Sequence, residues 1–227
     1  MSADDSDRPD GLSRRALLGR VGAAGAFVAL TDVLPPGVGD ADAQTGRAAA
    51  RDPLETLTQA EADTLGAIAA RLIPTDANGP GAAEARAASY VDRALGGALA
   101  DFRDVYRSGL ASLDAYARSS KGAPFGQLAA ADQDAVLGDL ERNAATGFAG
   151  GSAPFFNLVL AHTVQGTFGD PFYGGNRNFV GWDLIGYPGV RLAVTAEQQN
   201  LDAKAAPTHM SAYDYTMFSG RKPARGH

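Results

Sequence analysis

The chain has 227 residues, a formal net charge of −6 and no cysteine. Length points to one domain with extensions, and a composition of 45% hydrophobic and 20% charged residues is globular rather than disordered. The acidity argues against a nucleic-acid partner, which would require a basic stripe. The missing cysteines exclude disulfides, thiolate-held zinc or iron–sulfur centres, c-type haem attachment and a thiol nucleophile. Three histidines, His162, His209 and His227, leave little material for a histidine-rich metal site.

Ser13-Arg14-Arg15-Ala16-Leu17-Leu18 places paired arginines just before the ten-residue apolar run Val21–Leu30. That run is too short to cross a hydrocarbon layer of about 30 Å as a helix. A positive start, a short apolar run and a small-residue cleavage pattern make a signal peptide. Ala41-Asp42-Ala43 fits the cleavage pattern and predicts a mature chain beginning at Gln44. The run is rich in Gly and Ala, and with Arg14 and Arg15 it resembles a twin-arginine export signal. Leu17 stands where Phe is usual and Gly19 where Lys is usual. An amphipathic or buried N-terminal helix is the alternative. Removing residues 1–43 takes away four arginines and seven aspartates, so −6 becomes −3. No second long apolar stretch follows, so the mature chain is expected to be soluble or peripheral. The twin-arginine route carries folded passengers, often loaded with cofactor, and this chain shows no cofactor motif. The mismatch points to a partner as the passenger that requires folded export.

Residues 55–168 read as helices. Thr58-Gln59-Ala60-Glu61 is a capping box, and Leu65, Ile68, Ala69, Leu72 and Ile73 follow at helical spacing before Pro74. A second helix is predicted over Ala82–Leu95, stopped by Gly96-Gly97. A third, from about Asp101 to Ser119, carries Phe102, Val105, Tyr106, Leu110, Leu113 and Ala117 as its apolar stripe. A fourth covers Asp132–Ala144 with Val136, Leu137 and Leu140. A fifth has Ser152 as N-cap, Pro154 in its first turn, and Phe155, Phe156, Val159, Leu160 and Thr163 along one face up to Phe168. No strand-like alternation intervenes, so the expectation is an all-α fold of about five helices. Residues 44–54 form a linker before it, and residues 169–227 an irregular arm after it.

The composition changes at Gly169. The segment Gly169–Gly189 holds six glycines, two prolines and five aromatics, without helical or strand period. Glycine costs backbone entropy, so such a run must be fixed by packing or by a partner. Large aromatics outside regular structure commonly anchor interfaces. Trp182 fits either an interface or the core of its own chain. Arg177 fits a carboxylate on a partner or one in its own chain. Asp170 before Pro171 fits a turn in which its carboxylate bonds local amides. The arm continues through His209, Tyr213, Tyr215 and Phe218 to a basic end, Arg221, Lys222 and Arg225, which either packs along a partner or is disordered. A different class of reading takes Asp170 and Asp183, with His162, as an acid–base or metal cluster of an independent secreted hydrolase or lyase. An enzyme should gather titratable groups in a pocket, whereas glycine and aromatic residues dominate here.

Asp170-Pro171-Phe172-Tyr173-Gly174-Gly175-Asn176-Arg177, Val180-Gly181-Trp182 and Ile185-Gly186-Tyr187-Pro188-Gly189 together resemble the signature of the gluconate 2-dehydrogenase subunit 3 family. Ile73-Pro74-Thr75-Asp76, Gly79-Pro80-Gly81-Ala82, Val91-Asp92, Gly109-Leu110, Leu113-Asp114 and Phe168-Gly169-Asp170 are also similar to it, over about residues 55–190. The resemblance implies a small subunit of a bacterial flavin-dependent sugar or polyol dehydrogenase. The large subunit would bind FAD and oxidise substrate, and a cytochrome c subunit with haem c would take the electrons. This chain would bind no cofactor or metal and carry no catalytic residue. It would escort the flavoprotein and supply its export signal to the twin-arginine translocase, placing both in the periplasm, peripheral to the inner membrane. The expected partner interface comprises Asp170, Phe172, Tyr173, Asn176, Arg177, Trp182, Tyr187, Tyr213, Tyr215 and Phe218.

Overall fold

The computed structural model describes residues 53–219, apart from Leu201 and Lys204. The expected signal residues Arg14 and Arg15, the expected cleavage residues Ala41 and Ala43, most of the expected linker and the basic end lie outside the described residues. Within them the chain is all-α: seven α-helical segments, short 3₁₀ turns and no strand, with one isolated bridge between Asp76 and Gly79.

Helix α1 spans Gln59–Leu72. Its capping box forms as the sequence predicts: Glu61 N donates to Thr58 Oγ1 at 3.3 Å and Thr58 N to Glu61 Oε2 at 2.8 Å. Proline disfavours helical backbone in the residue before it, and the helix stops short of Pro74 with Ile73 at φ −132°. Helix α2 covers Ala87–Leu95, starting five residues later than the predicted Ala82. The break is Arg86, whose φ of +57° cannot continue a right-handed helix. Gly81–Ala85 forms a hydrogen-bonded turn instead, with Ala85 N donating to Gly81 O at 3.0 Å.

Helix α3 is Arg103–Lys121, closed by Gly122 at φ +83°, whose N–H reaches Arg118 O at 3.0 Å. Tyr106, Leu110, Leu113 and Ala117 are buried, but Phe102 and Val105, expected on the same stripe, are 37% and 43% exposed. They stand at the first turn, where the helix runs past the core. Helix α4 is Ala130–Glu141, shorter at its end than predicted because Asn143 turns left-handed at φ +57°. Helix α5 is Ser152–Phe168. Ser152 is not its N-cap: Gly151 takes that position, Ser152 Oγ bonds Leu140 O at 3.1 Å, and Asn143 Oδ1 accepts from Ala153 N at 3.1 Å. The cap therefore comes from the preceding loop.

Leu65, Val91, Leu95, Tyr106, Leu113, Phe125, Val136 and Leu140 are essentially inaccessible and form one continuous core with Phe155 and Val159. A Cβ on Gly109 would overlap the Phe155 ring, so glycine permits the close approach of α3 and α5.

Candidate partner-binding face

The tail is less irregular than its composition predicts. It contains 3₁₀ turns at Pro171–Tyr173 and Arg177–Phe179, a short helix α6 at Val180–Leu184, a further 3₁₀ turn at Ala212–Asp214 and a terminal helical turn α7 at Thr216–Ser219. These elements are too short to produce a periodic signal in the sequence.

Its inner part clasps the helical body. Asn176 is fully buried, and its side chain makes three bonds: Nδ2 donates to Gly169 O at 2.9 Å, while Oδ1 accepts from Gly181 N at 2.8 Å and Trp182 N at 3.4 Å. Its own N–H donates to Gly166 O at 2.7 Å. Arg177 N donates to Ala85 O at 3.1 Å, using the turn that delays α2. Cβ atoms on Gly175 and Gly181 would run into the backbone carbonyls of Gly166 and Thr167 on α5, so only glycine lets the chains approach this closely. Trp182 is 4% exposed and its Nε1 donates to Phe168 O at 2.9 Å. This corrects two expectations: the side chains of Asn176 and Trp182, expected to face a partner, are spent inside their own chain.

Asp170 behaves as the turn chemistry predicts. Its Oδ1 accepts from Phe172 N at 2.9 Å, and it also takes Ser211 Oγ at 2.7 Å and Ala212 N at 2.9 Å from the arm. The arm folds back over the inner segment. The Tyr213 ring stacks on Phe172 with centroids 3.7 Å apart, and its hydroxyl meets that of Tyr173 at 2.7 Å. This bond, with partial burial, pushes the Tyr173 hydroxyl up to about 12. Tyr215 donates its hydroxyl to Val190 O at 2.8 Å. Tyr213 and Tyr215, expected at the partner interface, thus engage their own chain.

Asp183 pairs with His209 Nε2 at 2.7 Å, Asp170 with the arm, and His162 Nδ1 with the Tyr106 hydroxyl at 3.0 Å. The three groups read as a conceivable acid–base cluster thus have three different partners. Burial pushes the His162 imidazole down and the Tyr106 hydroxyl up, so both stay neutral. Among the described residues no group of three or more His, Asp or Glu side chains is placed to hold a metal ion. A hollow of about 510 Å³ lies beside Arg191, Gln198, Thr208 and Tyr215, and among the described residues no carboxylate lines it.

One buried carboxylate escaped the sequence reading. Asp92 is 3% exposed and accepts three successive amides, Glu55 N at 2.7 Å, Thr56 N at 3.0 Å and Leu57 N at 2.7 Å. It staples the segment that leads into α1. The neighbouring Arg93 bonds Glu55 at 3.2 Å and lies across Gly174 of the tail. Burial of an acidic residue on a helix carries no local sequence signal.

The tail also exposes large apolar side chains. Tyr173, Ile185, Tyr187, Leu192, Val194, Met217 and Phe218 are 38–67% exposed, whereas helices α1–α5 of the body contribute only Val105 to the exposed large hydrophobics and the short turn before α3 only Phe102. The exposed Arg177 guanidinium forms no ion pair among the described residues. Of the expected interface residues, Tyr173, Arg177, Tyr187 and Phe218 point outward. Ile185, Leu192, Val194 and Met217 join them; their exposure depends on how short turns orient, which no spacing rule reveals.

No curated protein and no solved structure matches the chain. The family model described as gluconate 2-dehydrogenase subunit 3 matches residues 59–189, more than half the chain, from α1 through the glycine-rich clasp. The family name describes one subunit of a multi-subunit dehydrogenase. With that match, the all-α body and the clasp over α5, the chain belongs to the gluconate 2-dehydrogenase subunit 3 family.

Proposed function

We propose that this chain is the non-catalytic small subunit of a periplasmic FAD-dependent dehydrogenase. It escorts and stabilises the flavoprotein and supplies the twin-arginine signal that exports the pair. FAD resides in the large subunit, and a cytochrome c subunit carrying haem c completes the electron path. The observation that carries the reading is the concentration of exposed large apolar side chains in the tail, seven of the ten among the described residues. Water-exposed apolar area of this kind favours burial against another protein. The titratable groups that catalysis would require pair with separate neighbours instead of converging in the hollow.

Purification of the tagged chain from its native periplasm tests this. The expected product is a complex with a larger subunit whose absorption spectrum shows flavin, while the chain purified alone shows none. Replacing Arg14 and Arg15 with Lys should leave both proteins in the cytoplasm. Flavin bound to the chain alone, or normal periplasmic levels of both proteins in the double variant, overturns the reading.

A further inference from the structure

The tail is fastened in two unlike ways. Its inner segment is held by buried groups, Gly175, Asn176, Gly181 and Trp182, packed against α5. The arm from Pro207 to Tyr215 buries only Ser211. Apart from the Tyr213 ring stacked on Phe172, its fastenings are mostly polar and only partly buried. Asp170 takes Ser211 Oγ and Ala212 N; the Tyr173 and Tyr213 hydroxyls meet; His209 and Asp183 pair with side chains 41% and 46% exposed. Two backbone bonds, Thr208 N to Pro188 O at 2.6 Å and Val190 N to Met210 O at 2.8 Å, and two hydroxyl bonds, Thr208 Oγ1 to Pro188 O and Tyr215 to Val190 O, both at 2.8 Å, complete the attachment. Such surface pairs each contribute little, because water competes for both partners and ordered side chains lose rotamer freedom. The His209 ring lies flat on Phe179, with centroids 4.7 Å apart. Both residues hold left-handed backbone, His209 at φ +49° and Phe179 at φ +62°. Non-glycine residues adopt that region at a cost, and lifting the arm relieves it for His209.

We propose that residues 207–215 are a detachable strap, and that in the complex a segment of the dehydrogenase subunit takes the seat the strap fills in the free chain. The proposal rests on the small-subunit reading above. The seat consists of the Asp170 and Asp183 carboxylates, the ring faces of Phe172 and Phe179 and the Tyr173 hydroxyl. It fits an extended segment that offers N–H and O–H donors to one carboxylate, a cation or imidazole to the other, and an aromatic ring. The strap presents that pattern in His209-Met210-Ser211-Ala212-Tyr213. The partner is the favoured occupant because the seat is continuous with the exposed apolar face. Tyr173 belongs to both, and Tyr187 packs against Trp182, which in turn packs against Phe179 of the seat. Lifting the strap leaves the inner clasp intact, because no bond of Asn176 or of the Trp182 indole involves the arm.

The test uses the full mature chain and a His209→Ala/Ser211→Ala variant, with a fluorescent peptide of residues 205–219 as probe. The peptide should bind the variant about tenfold or more tightly than the native chain, whose own strap fills the seat. Both chains should melt at similar temperatures. In the native chain the amides of Ser211, Ala212 and Tyr213 should exchange with solvent long before those of Leu113 and Val136 in the core, and faster still once the co-purified dehydrogenase subunit is added. Equal peptide affinity for the two chains overturns the seat. A dehydrogenase subunit that binds but slows exchange in the strap makes the arm part of the grip and overturns the strap alone. A subunit that binds neither chain defeats the small-subunit reading, and the strap with it. The exchange measurement on the native chain decides the matter even if the double variant does not fold.

Discussion

The helical body and the tail reach order by opposite routes. In the body, backbone hydrogen bonds are closed within each helix, and aliphatic and aromatic stripes then meet in one core. In the tail the local backbone bonds close only isolated turns, and longer-range bonds tie those turns together and down: the Asn176 side chain serves three tail backbone groups, that of Asp170 two, and Gly166 and Ala85 of the body each lend a carbonyl. Glycine, which weakens helices, is what lets the tail approach α5 closely enough for this. The difference teaches that a segment without periodicity is not thereby a segment without structure. Its order is borrowed from the surface it lies on.

The comparison yields sharp expectations. Trp182→Ala removes a buried indole and its bond to Phe168 O, and should lower the stability of the free subunit by about 3–5 kcal/mol in denaturant titration. An unchanged free subunit with lost partner binding would instead return Trp182 to the interface. Gly181→Ala forces a Cβ onto the Thr167 carbonyl and should cost roughly 2–3 kcal/mol. A neutral Gly181→Ala would break the claim that the clasp depends on close approach. Ile185→Ser with Val194→Ser alters two exposed apolar side chains, so the melting temperature should hold while partner affinity falls by about 2 kcal/mol, roughly 30-fold. Calorimetry and binding measured on the same preparation separate the two.

The smallest effect concerns pH. Burial lowers the folded-state value of His162, while the unfolded chain titrates near 6.5. Between those values the unfolded state binds the extra proton, so this residue's contribution is fully present above about pH 6.5 and is lost as pH falls below it. His162→Gln, which can still bond the Tyr106 hydroxyl, should flatten that slope in urea titrations between about pH 5 and 6.5. An unchanged slope would mean that His162 is hydrated in the folded state.

Much of the body was legible because helix signals are local. The Thr58–Glu61 box, Pro74, Gly122 and the spacing of Leu65, Ile68, Tyr106, Leu110 and Leu113 each act within a few residues of themselves. The boundaries that differ, at Arg86 and Asn143, are left-handed turns whose reason lies elsewhere in the fold. Arg86 interrupts α2 where the Ala85 carbonyl receives Arg177, and Asn143 caps α5. The Asp170 turn was readable from Asp before Pro. The burial of Asn176, Trp182 and Asp92 was not, since the same residue types occur on surfaces.

Spacing thus determined on its own that the body is helical and where its five helices lie to within about five residues, and the family was legible only through the resemblance of the glycine–aromatic segment to a known signature. Only the tertiary structure decided which signature residues face inward. Asn176, Gly181 and Trp182 meet α5 across turns of three to five residues whose left-handed backbone at Asn176, Asn178 and Phe179 sets each side chain's direction. In a helix the direction of a side chain follows from a 3.6-residue period that local spacing reveals. In a clasp it follows from contacts between residues distant in sequence, and those exist only once the body beneath has formed.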